Sequence, residues 1–444
     1  MKREVFYGVG NLSFSIVANT ISNFFMFFGT SVLGVKGALV GIAIAIGTIW
    51  NGIGDPIMGV VSDKFKIGKL GYRKGYMLIG AIGMALANFA VWYVPINASV
   101  GIKFIWMLVA IVVIQTFLVA YTTPYYALGV DISTGKNSMT RLMISKALFM
   151  FLGLVLPSVL ITIFLPNTQE YGVGQLNPYG YQKIAVVVST ICVMTAIMCI
   201  LFTPNKLMRN EVSRKFSLKN TAKKFFKIIK NKNMFRLILG SALADVSAVI
   251  LTSVGMHFFT YCFYYTSGQI TTILLTLLVG ASVSQFLWYK MSKKSKIKTM
   301  LTSIFVTVIG VFCVLLVYVF RFNLNRYSFY LEIVSIFVCG FGSGALYTIP
   351  VSLYNDEVKI INAKTQEQQT ATYTGIYTFS SSVLTALTQL ITGVMLDLIH
   401  FDPSVVDQTI SVQTGLALIL FVGIMSVLIL SYYLFGIFKP SKIK

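Results

Sequence analysis

Long apolar segments recur along the whole chain, and short polar segments separate them. A transmembrane helix needs about 20 consecutive, mostly apolar residues. The segments are too long for strands of a membrane β-barrel, and they lack the alternation of such strands. The pattern predicts an all-α membrane protein with twelve transmembrane helices, at 6–33, 38–61, 75–95, 103–129, 140–165, 181–203, 234–263, 268–290, 299–320, 327–354, 370–399 and 411–437.

The composition also indicates a membrane protein. Apolar residues make up 56% of the chain and charged residues 11%, whereas about a quarter of the residues of a soluble protein are charged. The first apolar segment exceeds the roughly 7–15 residues of a signal-peptide core, so we interpret it as the first helix. The five cysteines and two histidines show no metal-ligand spacing. We therefore expect no metal, no cofactor and no enzymatic activity.

Basic residues fall mainly in alternate loops. If the N-terminus is cytoplasmic, the outer side carries only Lys36, Lys103, Lys183, Arg321 and Arg326. This asymmetry follows the positive-inside rule. It accounts for the net charge of +22 without a nucleic-acid partner. We predict a multi-pass protein of the cell inner (plasma) membrane with both termini in the cytoplasm.

Segment 204–233 divides the predicted helices into two sets of six and contains ten basic residues and one acid. We predict an N-terminal six-helix bundle over 1–203, a basic cytoplasmic linker, and a C-terminal six-helix bundle over 234–444. Apolar residues alternate with lysines in this linker, as in helices that lie on anionic lipid. A solvated linker is the alternative, and we expect a monomer.

An internal repeat relates the two predicted bundles. YTTPYYALGVDI begins at Tyr121 and YTIPVSLYNDEV at Tyr347, so that Tyr, Thr and Pro match at an offset of 226 residues. Each segment ends the fourth helix of its half. Two six-helix halves in the same orientation are the architecture of the major facilitator superfamily, whose members bind substrate near the membrane midplane.

Several motifs resemble those of the glycoside–pentoside–hexuronide:cation symporters, the family of melibiose permease. WNGIGDPIMG, from Trp50 to Gly59, resembles the signature of helix 2, and YGVGN, from Tyr7 to Asn11, resembles the start of helix 1. PYYAL at 124–128 and the segment 349–358 resemble the ends of helices 4 and 10. The resemblance implies a transporter of sugars or glycosides driven by sodium or protons.

The chain departs from this family at the cation site. Family members use acidic residues on helices 1, 2 and 4, and the corresponding positions here are Ser15, Asn51, Asp55 and Thr122. The sugar-site aromatic residue is retained as Tyr126, and the basic residue of helix 5 as Lys146. One carboxylate provides few of the oxygen ligands that sodium needs. The comparison with the family therefore favours H+ over Na+ as the coupling ion, or transport without a coupling ion.

Few charges lie deep within the predicted helices, and the deepest are Asp55, Lys146 and Asp245. A charge near the bilayer centre costs about 2.5–3.5 kcal/mol, so each should face a cavity or a partner. Asp55 and Lys146 lie at similar depths, and we hypothesise that they pair. A paired Asp55 is a structural lock, whereas an unpaired Asp55 can bind a proton. Asp245 is a candidate for substrate or proton binding, or for a hydrogen bond between helices.

Uncharged polar and aromatic residues share faces of several predicted helices. Asn11, Ser15 and Asn19 recur at intervals of four, on one face of helix 1. Hydroxyl and amide groups beside aromatic rings suit sugars, although any one of them can instead join two helices. With Asp55 as the cation-coupling residue, the predicted substrate-binding set is Asn11, Ser15, Asn19, Asn51, Thr122, Tyr126, Lys146, Asp245, Tyr373 and Tyr377.

Three functions follow from these patterns. The first is secondary transport of a small sugar or glycoside by alternating access, proton-coupled or uncoupled. The second is export or flipping of an amphipathic solute, such as a lysolipid or a small peptide. The third is a non-transporting sensor or scaffold that recruits a partner through 204–233.

Overall fold

The computed structural model describes residues 2–133, 138–204, 231–325, 327–365 and 370–440. Its helices are α1 (Lys2–Phe27, continued by a π-helical turn over Phe28–Val32), α2 (Gly37–Lys64), α3 (Lys74–Trp92), α4 (Val100–Ile132), α5 (Ser138–Phe164), α6 (Pro178–Phe202), α7 (Lys232–Phe263), α8 (Ser267–Ser292), α9 (Lys296–Val319), α10 (Tyr327–Ser343), α11 (Ile349–Thr365), α12 (Thr370–Leu398) and α13 (Ile410–Gly436).

Among the described residues, eleven helical segments are long and apolar enough to cross a membrane, and α10 is a shorter apolar helix. These are the segments that the apolar pattern predicts, with edges shifted by a few residues. The predicted all-α fold of about twelve transmembrane helices is therefore confirmed.

The chain forms two compact units, one containing α1–α6 and the other α7–α13, with Thr266–Gly268 assigned to the first. Residues 205–230 of the predicted linker lie outside the described residues. The exact boundary between the bundles, and the lipid contact proposed for 204–233, therefore stay predictions.

In the N-terminal unit, α1 packs against α5 and α6, and α4 packs against α2 and α3. The crossing of α1 and α5 is close because Gly153 has no side chain. A Cβ atom at Gly153 would lie 2.0 Å from Ser15 Oγ. Small residues at such crossings let two membrane helices approach closely, so Gly153 determines where α5 meets α1.

In the C-terminal unit, α7 is the central helix and packs against α12 and α13, while α9 packs against α10 and α13. Most side chains of α7 are buried. Its carboxylate residue, Asp245, is an exception and is partly exposed.

The tenth predicted span, 327–354, is not one continuous helix. α10 ends at Ser343 and α11 begins at Ile349, with turns between them. Pro350 has no N–H to donate to the carbonyl of Leu346, and glycines at 340, 342 and 344 weaken the preceding helix. We call 344–348 the helix break.

Two side chains of α8 donate hydrogen bonds to backbone carbonyls around the helix break. Gln285 Nε2 donates to the carbonyl of Gly344 at 2.7 Å. Trp288 Nε1 donates to the carbonyl of Phe341 at 2.9 Å. Irregular backbone at membrane depth is tolerated only where protein or water satisfies it, and α8 supplies these two donors.

Candidate functional site

Three side-chain hydrogen bonds join α2 and α4 in the N-terminal unit. Trp50 Nε1 donates to Thr116 Oγ1 at 2.8 Å. Asn51 Nδ2 and Gln115 Oε1 are 2.9 Å apart. Thr123 Oγ1 donates to Asp55 Oδ1 at 3.0 Å. Asn51 and Asp55 are four residues apart, so they occupy the same face of α2, toward α4.

The predicted ion pair between Asp55 and Lys146 is not formed in this structure. Lys146 Nζ lies 4.3 Å from the centroid of the Tyr126 ring, a cation–π distance. Asp55 accepts a hydrogen bond from Thr123 instead. In this structure the Tyr126 ring of α4, and not Asp55, is the partner of the Lys146 ammonium group. The similar depths of Asp55 and Lys146 in their helices did not determine which side chains they would contact.

Asp55, Tyr126 and Lys146 form one cluster, which we call the α2–α4–α5 site. Asp55 is exposed, Lys146 is partly exposed, and the Tyr126 side chain is 45% exposed. Tyr126 is also within electrostatic reach of Asp55. Because exposed charges are costly in lipid, we expect this face to meet water or ligand.

Phe14 of α1 adds an apolar wall to this site. Its ring meets the Tyr126 ring edge-on, with centroids 6.0 Å apart. It also contacts the Tyr125 ring at 5.7 Å, and Tyr125 is held in place because its hydroxyl donates to the carbonyl of Tyr7 at 2.8 Å. Contacts with the rings of Phe14 and Tyr125 thus help to orient Tyr126.

Three residues of the predicted binding set lie inside the N-terminal bundle. Asn11, Ser15 and Thr122 are 1%, 4% and 7% exposed. Asn19 is partly exposed, and its side chain donates to the carbonyl of Ser15 at 2.7 Å. Ser15 is turned toward α5, where Gly153 lets the two helices approach closely. Substrate contacts from the three buried residues stay a prediction.

In the C-terminal unit, Asp245 accepts a hydrogen bond from Ser381 of α12 at 2.9 Å. The Tyr377 ring packs on the Tyr354 ring with centroids 4.7 Å apart. Tyr354 in turn donates its hydroxyl to the carbonyl of Tyr373. Of the predicted set, Asp245 and Tyr377 lie within electrostatic reach of one another, and Tyr373 contributes its backbone carbonyl to this network.

Sequence analysis missed the hydrogen-bond partners in the α2–α4 seam. Thr123 binds Asp55, whereas its neighbour Thr122, at the family cation position, is buried. A signal was available, because Thr116 and Thr123 are seven residues apart and so lie on one face of α4. Among the described residues, no group of three or more His, Cys, Asp and Glu side chains could hold a metal ion.

Comparison with curated proteins finds symporters. The chain is 32% identical to an uncharacterized symporter of Synechocystis sp. over 38% of this chain and 33% of that protein. It is 24% identical to the isoprimeverose transporter of Lactiplantibacillus pentosus over 48% of this chain and 43% of that protein. These alignments thus span less than half of the relatives' lengths. A sodium-dependent lysophosphatidylcholine symporter of Danio rerio is 21% identical over 97% of this chain and 84% of that protein.

Solved structures of transporters share the fold. The nucleoside transporter NupG aligns with a TM-score of 0.70 at 11% identity, covering 99% of this chain and 100% of that one. The D-xylose–proton symporter aligns with a TM-score of 0.65 at 9% identity, covering 96% of each chain. The MFS/sugar transport protein family matches residues 6–440. This match covers nearly the whole chain, so the chain belongs to the MFS/sugar transport protein family, in its melibiose-permease-like symporter group.

Proposed function

We propose that the protein transports a small sugar or glycoside by alternating access, and that a proton on Asp55 couples to this transport. The observation that carries the proposal is the α2–α4–α5 site. There an ammonium group lies over an exposed aromatic ring, and a carboxylate is within electrostatic reach of the same ring. The isoprimeverose transporter among the relatives supports a sugar as the substrate.

The site offers the groups that a sugar needs. The exposed Tyr126 ring can stack on the apolar face of a pyranose, while Lys146 donates to hydroxyl oxygens and Asp55 accepts from hydroxyl groups. The Tyr126 ring remains 45% exposed beside Phe14 and Lys146, so part of its surface is available for stacking. Binding thus depends on few, well-positioned polar groups beside an aromatic surface.

The surroundings of Asp55 favour a proton as the coupling ion. Within the described residues, Asp55 accepts a hydrogen bond from the neutral Thr123 hydroxyl, and no cation lies within ion-pair distance of its carboxylate. A carboxylate without a cationic partner gains more from protonation when its site closes to water. Sodium would need further anionic oxygens, and Asn51 and Thr122 stand where the family has acids.

Uptake by the full chain in proteoliposomes tests this function. Labelled isoprimeverose and xylose are supplied with an inward proton gradient, an inward sodium gradient, or neither. We expect accumulation with the proton gradient alone. Asp55→Asn should abolish accumulation and leave equilibrative flux, because the neutral amide keeps the bond to Thr123. Asp402→Asn, in an exposed loop, is the matched control. Accumulation by Asp55→Asn equal to that of the parent protein would overturn the coupling role.

The full-length similarity to the zebrafish protein favours one second candidate, transport of a lysolipid. The same proteoliposomes separate the two candidates. Sodium-dependent movement of lysophosphatidylcholine between leaflets, without movement of either sugar, would replace the sugar proposal.

A further inference from the structure

A cavity lies within the C-terminal unit. Its volume is about 180 Å³, and it is lined by residues of α7, α8, α9, α10 and α13 together with the helix break. Along α7 its lining runs from Asp245 to Phe259, about 21 Å at 1.5 Å per residue. An apolar protein cavity of about 150 Å³ can hold benzene, so this one has room for a group of at least that size.

The wall of this cavity is apolar apart from one end. Its hydroxyl groups are bonded to backbone carbonyls: Ser247 to Ala244, Thr307 to Ser303 and Ser343 to Gly340. Sugar hydroxyls placed against the remaining leucine, isoleucine, valine and phenylalanine side chains would lose their hydrogen bonds to water without replacement. The cavity therefore selects an apolar group and disfavours a sugar.

Asp245 is the charged residue at the polar end. It accepts a hydrogen bond from Ser381, and within the described residues no Lys, Arg or His side chain pairs with it. Tyr347 of the helix break lines the same cavity, and both Tyr347 and Tyr377 of α12 lie within electrostatic reach of the Asp245 carboxylate. A carboxylate and an aromatic residue in one cavity wall are groups that recognise ammonium ions.

We propose that this cavity binds a monocationic amine with an apolar body. The ammonium group pairs with Asp245 beside Tyr347, and the apolar body fills the space toward Phe259. Charge complementarity selects the cation, and the apolar wall selects the body. The site goes beyond the proposed sugar transport, because the two ligands share no chemistry and the residues of the α2–α4–α5 site take no part in it.

Calorimetry on the full chain in lipid nanodiscs tests this site. The probe is 4-phenylbutylammonium, its neutral counterpart is 4-phenylbutanol, and empty nanodiscs correct for partition into lipid. We expect saturable binding of the amine at least tenfold tighter than of the alcohol, which is about 1.4 kcal/mol. Equal affinities for amine and alcohol would overturn the proposal, since the carboxylate would then contribute nothing.

Variants of the lining residues distinguish the contribution of the Asp245 charge from that of the cavity's shape. Asp245→Asn should weaken amine binding to the level of the alcohol, whereas Asp245→Glu should retain the preference for the amine. Asp397→Asn, which removes a carboxylate of α12 outside the cavity, should leave both affinities unchanged. Ala248→Phe should abolish binding of both probes by filling the cavity. Full amine affinity in Asp245→Asn, or in a folded Ala248→Phe protein, would contradict the site.

Discussion

Two lysines of the N-terminal unit show how the same ammonium group serves different purposes. Lys146 lies over an aromatic ring and keeps part of its surface accessible. Lys74 is 4% exposed, and its Nζ donates to the carbonyls of Ile200 and Thr203 at 2.7 and 2.5 Å. These carbonyls end α6, where helix carbonyls lack backbone donors and carry partial negative charge. Lys74 therefore caps a helix, whereas Lys146 remains available to a ligand.

Replacing Lys74 should destabilise the N-terminal unit. Lys74→Met keeps the aliphatic length but leaves both carbonyls of α6 without their donor, and an unpaired buried polar group costs about 1–3 kcal/mol. We expect a lower midpoint of thermal unfolding in detergent, measured by the loss of monodisperse protein on heating. Lys69→Met, at an exposed position, is the control. A midpoint for Lys74→Met equal to that of the control would show that the cap contributes no stability.

Variants at Ser15 and Gly153 can distinguish a packing role of Ser15 from a role in substrate binding. A Cβ atom added at Gly153 would lie only 2.0 Å from the Ser15 Oγ atom. Gly153→Ala should therefore lower thermal stability by about 1–3 kcal/mol, as overpacking does. The double variant Gly153→Ala/Ser15→Gly should recover much of this loss, since it removes the clashing side chain. Recovery of stability without recovery of sugar uptake would assign Ser15 a role in binding as well as in packing.

The internal repeat has different structural outcomes in the two units. Tyr121, Thr122 and Pro124 lie within the continuous helix α4, whereas Tyr347 and Thr348 lie in the helix break just before Pro350. Three glycines precede the C-terminal copy, and each lowers helix stability by about 1 kcal/mol relative to alanine. The corresponding positions before the N-terminal copy are Ile114, Thr116 and Leu118. The Tyr121 hydroxyl also donates to the carbonyl of Gly10 at 2.9 Å. Proline alone does not break the span.

The donors of α8 should be essential for the helix break. Gln285→Leu removes the bond to the carbonyl of Gly344 and leaves that group at membrane depth without its donor, a cost of about 1–3 kcal/mol. We expect a lower unfolding midpoint and faster proteolysis between α10 and α11. Ser282→Ala is the control, because the Ser282 hydroxyl bonds the carbonyl of Leu278 within its own helix. Gln285→Leu protein as stable as this control would mean that water or a rearranged backbone satisfies Gly344.

At the scale of the whole molecule, the lengths of the apolar segments predicted the helices and their approximate number. This works because every helix that crosses the bilayer must be long and apolar enough to span its hydrocarbon core. The helix break escaped prediction because its apolar length matches that of an intact span and only the glycines before Pro350 mark it. Side-chain partners were harder still. The position of Lys146 depends on how α4 and α5 rotate against each other, and that rotation follows from packing that no single helix specifies.

The orientation of the chain can be tested at two connections. The connection 65–73 between α2 and α3 contains Lys66, Lys69 and Arg73, whereas the connection 165–177 between α5 and α6 contains Glu170 and no Lys or Arg. Basic residues are retained on the cytoplasmic side during insertion. We therefore expect the first connection to be cytoplasmic and the second to face outward.

Cysteine labelling on intact cells measures this orientation. Among the native cysteines, Cys313 is the partly exposed one and the other four are buried, so Cys313→Ala provides a suitable background. In that background, a membrane-impermeant maleimide should label Glu170→Cys protein on intact cells, and should label Lys69→Cys protein only after permeabilisation. Both side chains are exposed in the structure, so the difference reports the side of the membrane and not burial. The reverse pattern would place the termini outside, and the basic connections would then have to be translocated against the charge rule.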